Sequence, residues 1–297
     1  MNHNHNHINN NYEKPIIIGI FLNVTFIIVE VIYGFISNSM ALITDAGHNF
    51  SDVLSLILAG IAGWMISRRS TSKFTYGFKR GSILIALVNS ILLLVALGAI
   101  TWEAIHRLSV QNVVNGKTVI LVASIGIVVN GITAYMFMKG REKDLNVKSV
   151  FLHMLTDTFV SAGVVVSGFL IYYFNLNWID PVISLAIVLV ILYSTWGLLK
   201  ETIQLTMDAV PSNIEYERVQ EYLLKVKGVK SVHDLHIWGL STSHTALTVH
   251  LIMEGGYSDG SFLNDLSTGL HSKFGIEHTT IQIEDIDSED CLQEDCT

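Results

Sequence analysis

The chain has 297 residues, of which 50% are hydrophobic and only 15% are charged. Soluble domains carry about 25% charged residues, so this composition excludes an ordinary water-soluble enzyme and a largely disordered chain. Both cysteines, Cys291 and Cys296, lie close to the carboxyl terminus, and they cannot form the disulfide framework of a small secreted protein. The composition therefore predicts a membrane protein with several spans.

Charge is distributed unevenly along the chain. Residues 1–207 have a net charge of +3, whereas residues 208–297 have a net charge of −11. The acidic region argues against nucleic acid as a partner and favours cations. We expect a His-rich tail at residues 1–14, a membrane domain at 15–207 and a separate domain at 208–297.

The tail reads MNHNHNHINNNYEK and includes His5. It lacks the basic region and the cleavage site of a secretory signal. Two interpretations stay open, which are a disordered tail (or a cloning remnant) and a loose collector of metal ions.

Six apolar stretches follow, each near the roughly 20 residues that cross the hydrocarbon of a lipid bilayer. They lie at residues 16–36, 40–66, 82–105, 118–138, 150–174 and 181–199. Basic residues concentrate in the connections after the second and fourth stretches. The positive-inside rule then predicts that both termini are cytoplasmic.

The last 85 or so residues have the pattern of a small soluble domain. We predict a helix at 214–226, strands at 230–238 and 246–253, a helix at 261–274 and a strand at 279–285. The order αββαβ predicts a ferredoxin-like α+β layer, with two helices on a three-stranded sheet.

Two membrane helices carry the same pair of residue types at the same spacing. His48 and Asp52 lie four residues apart in the second stretch, and His153 and Asp157 do so in the fifth. Residues at i and i+4 share one face of a helix. Two such helices that face each other would present two imidazoles and two carboxylates, a set that suits a tetrahedral divalent ion.

The cost of burying charge supports this interpretation. An aspartate at the centre of a membrane helix costs about 3 kcal/mol on insertion scales. The alternative is that these side chains only pair with one another, which leaves the repeated spacing unexplained. Asp45 has three open roles, as a support for the ligands, a proton acceptor or a partner for another helix. Glu30 is similarly ambiguous, whereas for Glu103 we expect a pair with His106 or Arg107.

The ligand types indicate which metal is bound. Imidazole with carboxylate suits Zn²⁺ and its neighbours, whereas sets of oxygen ligands suit Mg²⁺ and Ca²⁺. No span contains a thiolate, so Cu⁺ is disfavoured. Zn²⁺ is the favoured ion, with Cd²⁺, Co²⁺, Fe²⁺ and Mn²⁺ as alternatives.

A metal site built from two separate membrane helices could open to alternate sides of the membrane, as a transporter requires, and two other classes of function are alternatives. An intramembrane metalloenzyme needs an open coordination position and a general base, but the chain contains no HExxH motif, and no GxxxxGK[ST] motif for ATP. A membrane-tethered metal sensor would use its spans only as an anchor. That sensor would tolerate loss of the paired residues in the spans.

Several spaced motifs resemble the cation diffusion facilitator family. They are TDAGHNFSD from Thr44, TYGFKR from Thr75, the repeated His-x-x-x-Asp, MDAVP from Met207 and HDLHIW from His233. The resemblance covers the chain from residue 15 onward and implies a homodimeric antiporter that exports Zn²⁺ from the cytosol in exchange for protons. His48, Asp52, His153 and Asp157 match the transport site of the family. The short fourth connection lacks the His-rich loop of eukaryotic relatives, which favours a bacterial inner membrane.

The resemblance also implies metal binding in the cytoplasmic domain. His233, His250 and Glu284 match metal ligands of vertebrate members, although exposure on the polar faces of their strands is the simpler interpretation of His250 and Glu284. Cys291 and Cys296 resemble a terminal cysteine pair with altered spacing, and His5 of another protomer is a further candidate ligand.

Two more features follow from the same resemblance. Arg80 and Asp208 match positions that pair at the interface of the membrane domains, so we expect a structural role for them. The loop at 68–79 lacks the ligands that some members place there, so that third metal site is predicted to be absent.

Overall fold

The computed structural model describes residues 13–110, 112–138, 145–253 and 261–285. Six long helices precede a small α+β region. The helices are α1 (Glu13–Ser37), α2 (Met40–Ile66), α3 (Gly81–Ser109), α4 (Gly116–Phe137), α5 (Leu145–Phe174) and α6 (Ile179–Thr206).

Five of these helices, α2 to α6, are long and apolar enough in their described residues to cross a membrane. Helix α1 has 25 residues, or about 37 Å at 1.5 Å per residue, and its described apolar part covers Phe21–Ser37. The predicted helical membrane region is confirmed. Helix α6 continues seven residues past its predicted end, because polar residues such as Lys200 and Glu201 extend a helix beyond its hydropathy signal.

The carboxyl-terminal part folds in the predicted αββαβ order. Its elements are α7 (Tyr216–Leu224), β1 (Val229–Gly239), β2 (Thr245–Met253), α8 (Ser261–Phe274) and β3 (Ile276–Glu284). Within the described residues the three strands form one sheet with β2 at its centre. Strand β2 is antiparallel to β1 and parallel to β3.

The core of this domain lies between the sheet and its helices. Val219 and Leu223 of α7, and Leu266 and Leu270 of α8, are buried with the apolar residues of β2. The alternation along β2 therefore places Leu247, Val249 and Leu251 in the core, and it turns the intervening residues to the opposite face of the sheet.

The chain divides into two compact units. One contains the part up to Ile57 together with Ile91–Thr195, and the other contains Leu58–Ser90 and the chain from Trp196 onward. In the first unit α4 and α5 approach closely. A side chain at Gly116 would lie 2.7 Å from the backbone oxygen of Gly168, so both glycines are required by this packing, which fixes α5.

Helix α6 supplies the cap for α2. The carboxylate of Asp180 is fully buried and accepts hydrogen bonds from the Ser39 hydroxyl and the Met40 backbone N–H. The Thr44 hydroxyl contacts the Ser184 hydroxyl one turn further along. Because the first N–H groups of a helix have no partner within it, Asp180 stabilises the start of α2.

Candidate metal sites

The structure brings the four paired residues of α2 and α5 together; we call His48, Asp52, His153 and Asp157 the membrane site. Each histidine contacts the carboxylate of the other helix. His48 Nε2 lies 3.3 Å from Asp157 Oδ1, and His153 Nε2 lies 3.2 Å from Asp52 Oδ2. The pairs within each helix are slightly longer, at 3.6 Å for His48–Asp52 and 3.8 Å for His153–Asp157.

Several of the atoms in the membrane site that could bind a metal have no hydrogen-bond partner. His48 Nδ1, Asp52 Oδ2 and Asp157 Oδ1 are buried and make no hydrogen bond of acceptable geometry in the described part of the chain. Ligand atoms of His48, Asp52 and Asp157 all lie within 4.8 Å of one another. Buried polar atoms rarely stay unsatisfied. Nitrogen and oxygen atoms that lie this close together without forming hydrogen bonds therefore favour a cation held between them.

Exposure increases steadily across the membrane site. Asp157 is 1% exposed and His48 12%, whereas Asp52 is 31% and His153 40% exposed. The two more exposed residues lie nearer the carboxyl end of α2 and the amino end of α5. The site is therefore open in that direction and closed in the other.

Asp45 is not among the residues whose ligand atoms lie close together in the membrane site. Its carboxylate is fully buried one turn before His48, and its Oδ2 accepts a hydrogen bond of 3.1 Å from Ser161 of α5. Glu30 of α1 is also fully buried and accepts a hydrogen bond of 3.0 Å from Asn49. The sequence places Asn49 on the same helical stripe as Asp45, His48 and Asp52, but it did not identify Ser161, because an uncharged polar residue in a membrane helix gives little signal. Glu103 pairs with Arg107 at 2.8 Å.

A second group of residues that could bind a metal lies on the sheet; we call His233, His250 and Glu284 the sheet cluster. His233 and His250 are directly opposite in the β1–β2 register. Glu284 Oε1 lies 2.9 Å from His250 Nδ1, and its Oε2 lies 3.1 Å from His233 Nε2. Ligand atoms of the three residues lie within 4.8 Å of one another. His233 Nε2 and His250 Nδ1 are buried without a hydrogen bond among the described residues.

The interpretation that His250 and Glu284 are exposed to solvent on the polar faces of their strands is wrong. His250 is buried at 8% exposure, and the Glu284 side chain is only 15% exposed. For His250 the reason is the strand order, because β2 is central and has neighbours on both sides, and Glu284 contacts His250 from the adjacent β3. Alternation in the sequence does not reveal which strand is central.

Asp234 is a further residue that the sequence interpretation missed. The β1–β2 register shifts between His233 and His236, and Asp234 has a φ of +49° at this bulge. A bulge redirects a side chain, and here Asp234 Oδ2 lies 3.5 Å from His250 Nε2 while its Oδ1 lies 2.9 Å from His236 Nε2. Asp234 thus contacts the side of the His250 ring that faces away from Glu284.

The other candidate residues have simpler positions. Arg80 Nη2 lies 2.6 Å from Asp208 Oδ1, and both side chains are about half exposed. His5, Cys291 and Cys296 lie outside the described residues.

Comparisons with known proteins agree over nearly the whole chain. Residues 16–206 match the cation efflux transmembrane domain, and residues 211–286 match the cytoplasmic domain of cation efflux proteins. A cadmium, cobalt and zinc/H(+)-K(+) antiporter of Bacillus velezensis is 32% identical over 289 residues, which cover 96% of this chain and 92% of that protein.

Two further relatives come from other lineages. A metal cation efflux system protein of Cupriavidus metallidurans is 35% identical, covering 95% of this chain and 89% of that protein. A proton-coupled zinc antiporter of Homo sapiens is 30% identical, covering 90% of this chain and 76% of that protein. This chain therefore belongs to the cation diffusion facilitator family, and it is a multi-pass membrane transporter of metal cations rather than an enzyme.

Proposed function

We propose that this protein is a homodimeric antiporter that exports Zn²⁺ from the cytosol in exchange for protons by alternating access. The observation that carries the proposal is the convergence of His48, Asp52, His153 and Asp157 between two apolar helices. Relatives named as zinc, cadmium and cobalt antiporters support it, and Cd²⁺ and Co²⁺ are further candidate substrates.

The donor set of the membrane site favours Zn²⁺. Two imidazoles and two carboxylates match the tetrahedral preference of Zn²⁺, whereas Mg²⁺ and Ca²⁺ prefer sets of oxygen ligands. The site lies between two separate helices. A relative movement of α2 and α5 would therefore change the distances between the four ligands, and this is what release of the transported ion requires.

Proton coupling follows from the ligand chemistry. A histidine must be neutral to bind a metal, so protons compete with Zn²⁺ for the site. Free imidazole has a pKa near 6.5, which makes this competition effective close to neutrality. Acid on the extracytoplasmic side would then promote release of Zn²⁺ there, and protons would return inward.

The exposure gradient supports an inward-facing state. Asp52 and His153 are the more exposed residues of the membrane site, and they lie towards the connections that carry most of the basic residues. With those connections in the cytosol, the site is open to the cytosol and closed to the other side. A bacterial inner membrane, with both termini cytoplasmic, suits this orientation.

The sheet cluster is the proposed second metal site, held in the cytoplasmic domain. Its buried, unsatisfied nitrogen atoms favour a bound ion. The net charge of −11 at residues 208–297 would repel a second copy, and bound Zn²⁺ would offset part of it, which links the cluster to dimer formation. Cys291, Cys296 and His5 are proposed as additional ligands.

Transport into proteoliposomes tests the membrane site. With an acidic lumen, wild-type protein should accumulate Zn²⁺, and Asp157→Asn should abolish accumulation. Glu103→Gln is the matched control, because Glu103 is also a membrane-helix carboxylate but pairs with Arg107 outside the site. Negligible uptake by the wild type, together with tight Zn²⁺ binding, would instead favour a membrane-tethered sensor.

A further inference from the structure

Two carboxyl groups of the membrane helices meet away from water; we call Glu30 of α1 and Asp45 of α2 the acidic pair. Both residues are 0% exposed. Asn49, which donates a hydrogen bond of 3.0 Å to Glu30, lies four residues after Asp45 on the same face of α2, so the two carboxyl groups lie close together. No Lys or Arg of the described residues forms an ion pair with either of them.

Each member of the acidic pair has one satisfied and one unsatisfied oxygen. Asn49 donates to Glu30 Oε2 and Ser161 donates to Asp45 Oδ2. The remaining oxygens, Glu30 Oε1 and Asp45 Oδ1, are fully buried and accept no hydrogen bond from any described residue. The pair therefore has two unsatisfied oxygens and no donor to fill them.

A proton satisfies this arrangement. Two carboxylates at close range cannot both be ionised in an apolar setting, and such pairs share a proton. One O–H group on one carboxyl, donated to the other, removes half of the negative charge and provides the missing donor. A metal ion is a poorer fit, because the pair lacks the additional ligands that a site in a protein interior requires.

The acidic pair is close to the membrane site and separate from it. Asp45 precedes His48 by three residues, and its partner Ser161 follows Asp157 by four. The pair therefore lies about one helical turn away, on the closed side of the membrane site. The two histidines make their ion pairs with Asp52 and Asp157 rather than with the acidic pair. The nearest ionisable residues along α2 and α5 are His48 and Asp157.

We propose that the acidic pair is a proton-binding site whose proton and a Zn²⁺ ion in the membrane site exclude each other. A positive ion one turn away stabilises the ionised form of the pair and expels its proton, because both lie in a medium of low dielectric. In that step the O–H bond of one carboxyl group breaks, the proton leaves to solvent, and a second carboxylate remains. Zn²⁺ binding therefore releases one proton from the acidic pair in addition to the protons displaced from the ligands. This inference rests on the proposed Zn²⁺ binding at the membrane site.

Counting protons tests the proposal on purified full-length protein in nanodiscs. Zn²⁺ binding is followed by calorimetry in buffers of different ionisation enthalpy, which gives the number of protons released. We expect Glu30→Gln to release about one proton fewer than the wild type, and its Kd for Zn²⁺ to vary about tenfold less per pH unit. Glu103→Gln serves as the control and should release as many protons as the wild type.

A labelling experiment needs no variant. A hydrophobic carbodiimide reacts with protonated carboxyl groups in apolar surroundings, so it should label Glu30 or Asp45 in the wild type, and Zn²⁺ should prevent the labelling. Absence of label on both residues would overturn the proposal. So would unchanged proton release in both Glu30→Gln and Asp45→Asn, with Zn²⁺ binding intact. Neither readout uses transport, so a failure of proton-driven uptake would refute the antiporter and leave the acidic pair standing.

Discussion

The membrane site and the sheet cluster contain similar residue types in opposite mechanical settings. Both have two histidines and at least one carboxylate in mutual contact. The membrane site draws its ligands from two separate helices, whereas the sheet cluster draws them from three strands of one hydrogen-bonded sheet. Helices can move apart without breaking their own hydrogen bonds, but strands of a sheet cannot. The difference suits release of a transported ion at one site and retention of a resident ion at the other.

The contrast predicts that damage to the membrane site is the more severe for transport. Asp157→Asn should lower the affinity of the membrane site by about a hundredfold or more, because even supporting residues around a metal are worth 10–100-fold. His153→Ala should cost less, since His153 is 40% exposed and water can replace it. Zn²⁺ titration of both variants in a background that lacks the sheet cluster measures the order, and a reversed order would contradict the exposure argument.

The next largest effect is expected from acidification, which should change the Zn²⁺ affinity of the two sites by different amounts. Protons compete with Zn²⁺ for the imidazole nitrogen atoms, so lowering the pH from 7.5 to 5.5 weakens Zn²⁺ binding at both sites. With two histidines in each site, the loss approaches a hundredfold per pH unit at low pH. The acidic pair should make the dependence steeper at the membrane site. Equal slopes at the two sites, measured by titration of single-site variants, would count against that additional proton.

Zn²⁺ binding at the sheet cluster should raise the thermal stability of the carboxyl-terminal domain. Zn²⁺ at a hundredfold excess over its Kd stabilises a folded state by about 2.7 kcal/mol, and His250→Ala should abolish this gain for the carboxyl-terminal domain. His236→Ala is the matched control, because His236 is 64% exposed and lies outside the cluster. Thermal unfolding of full-length protein, with and without Zn²⁺, distinguishes the variants. Full retention of the Zn²⁺ effect in His250→Ala would exclude the cluster as its source.

A smaller effect is expected at Asp234. A metal-binding histidine commonly donates its second N–H to a carboxylate, and Asp234 is placed to accept from His250. Asp234→Asn should weaken Zn²⁺ binding at the sheet cluster about tenfold, while the bulge is kept because asparagine tolerates positive φ. Calorimetry of this variant checks the affinity, and hydrogen exchange of β1 checks that the bulge is intact. An unchanged affinity would show that Asp234 serves the bulge alone.

The smallest effect is expected where charge is exposed. Arg80 and Asp208 pair at 2.6 Å, but their side chains are 56% and 48% exposed. Exposed ion pairs are worth about 0–1 kcal/mol. A double-mutant cycle with Arg80→Ala and Asp208→Ala, read by thermal unfolding, should give a coupling energy in this range. A much larger value would indicate that the pair is shielded by a second copy of the chain.

Local periodicity allowed much of this protein to be predicted from sequence. The apolar stretches, the αββαβ order and the membrane site all depend on spacing within one element. Residues four apart on a helix share a face whatever the helix packs against, so His48 with Asp52, and His153 with Asp157, could be recognised before any fold was known.

The tertiary structure decided what depends on non-local contacts. The central position of β2, the burial of His250 and the redirection of Asp234 follow from strand pairing, which the sequence of a single strand does not specify. The hydrogen bond from Asn49 to Glu30, which places Glu30 close to Asp45, likewise depends on how α1 packs against α2. Helix spacing is a property of one segment, whereas these features require two or three segments to meet, and only the folded chain determines which segments do.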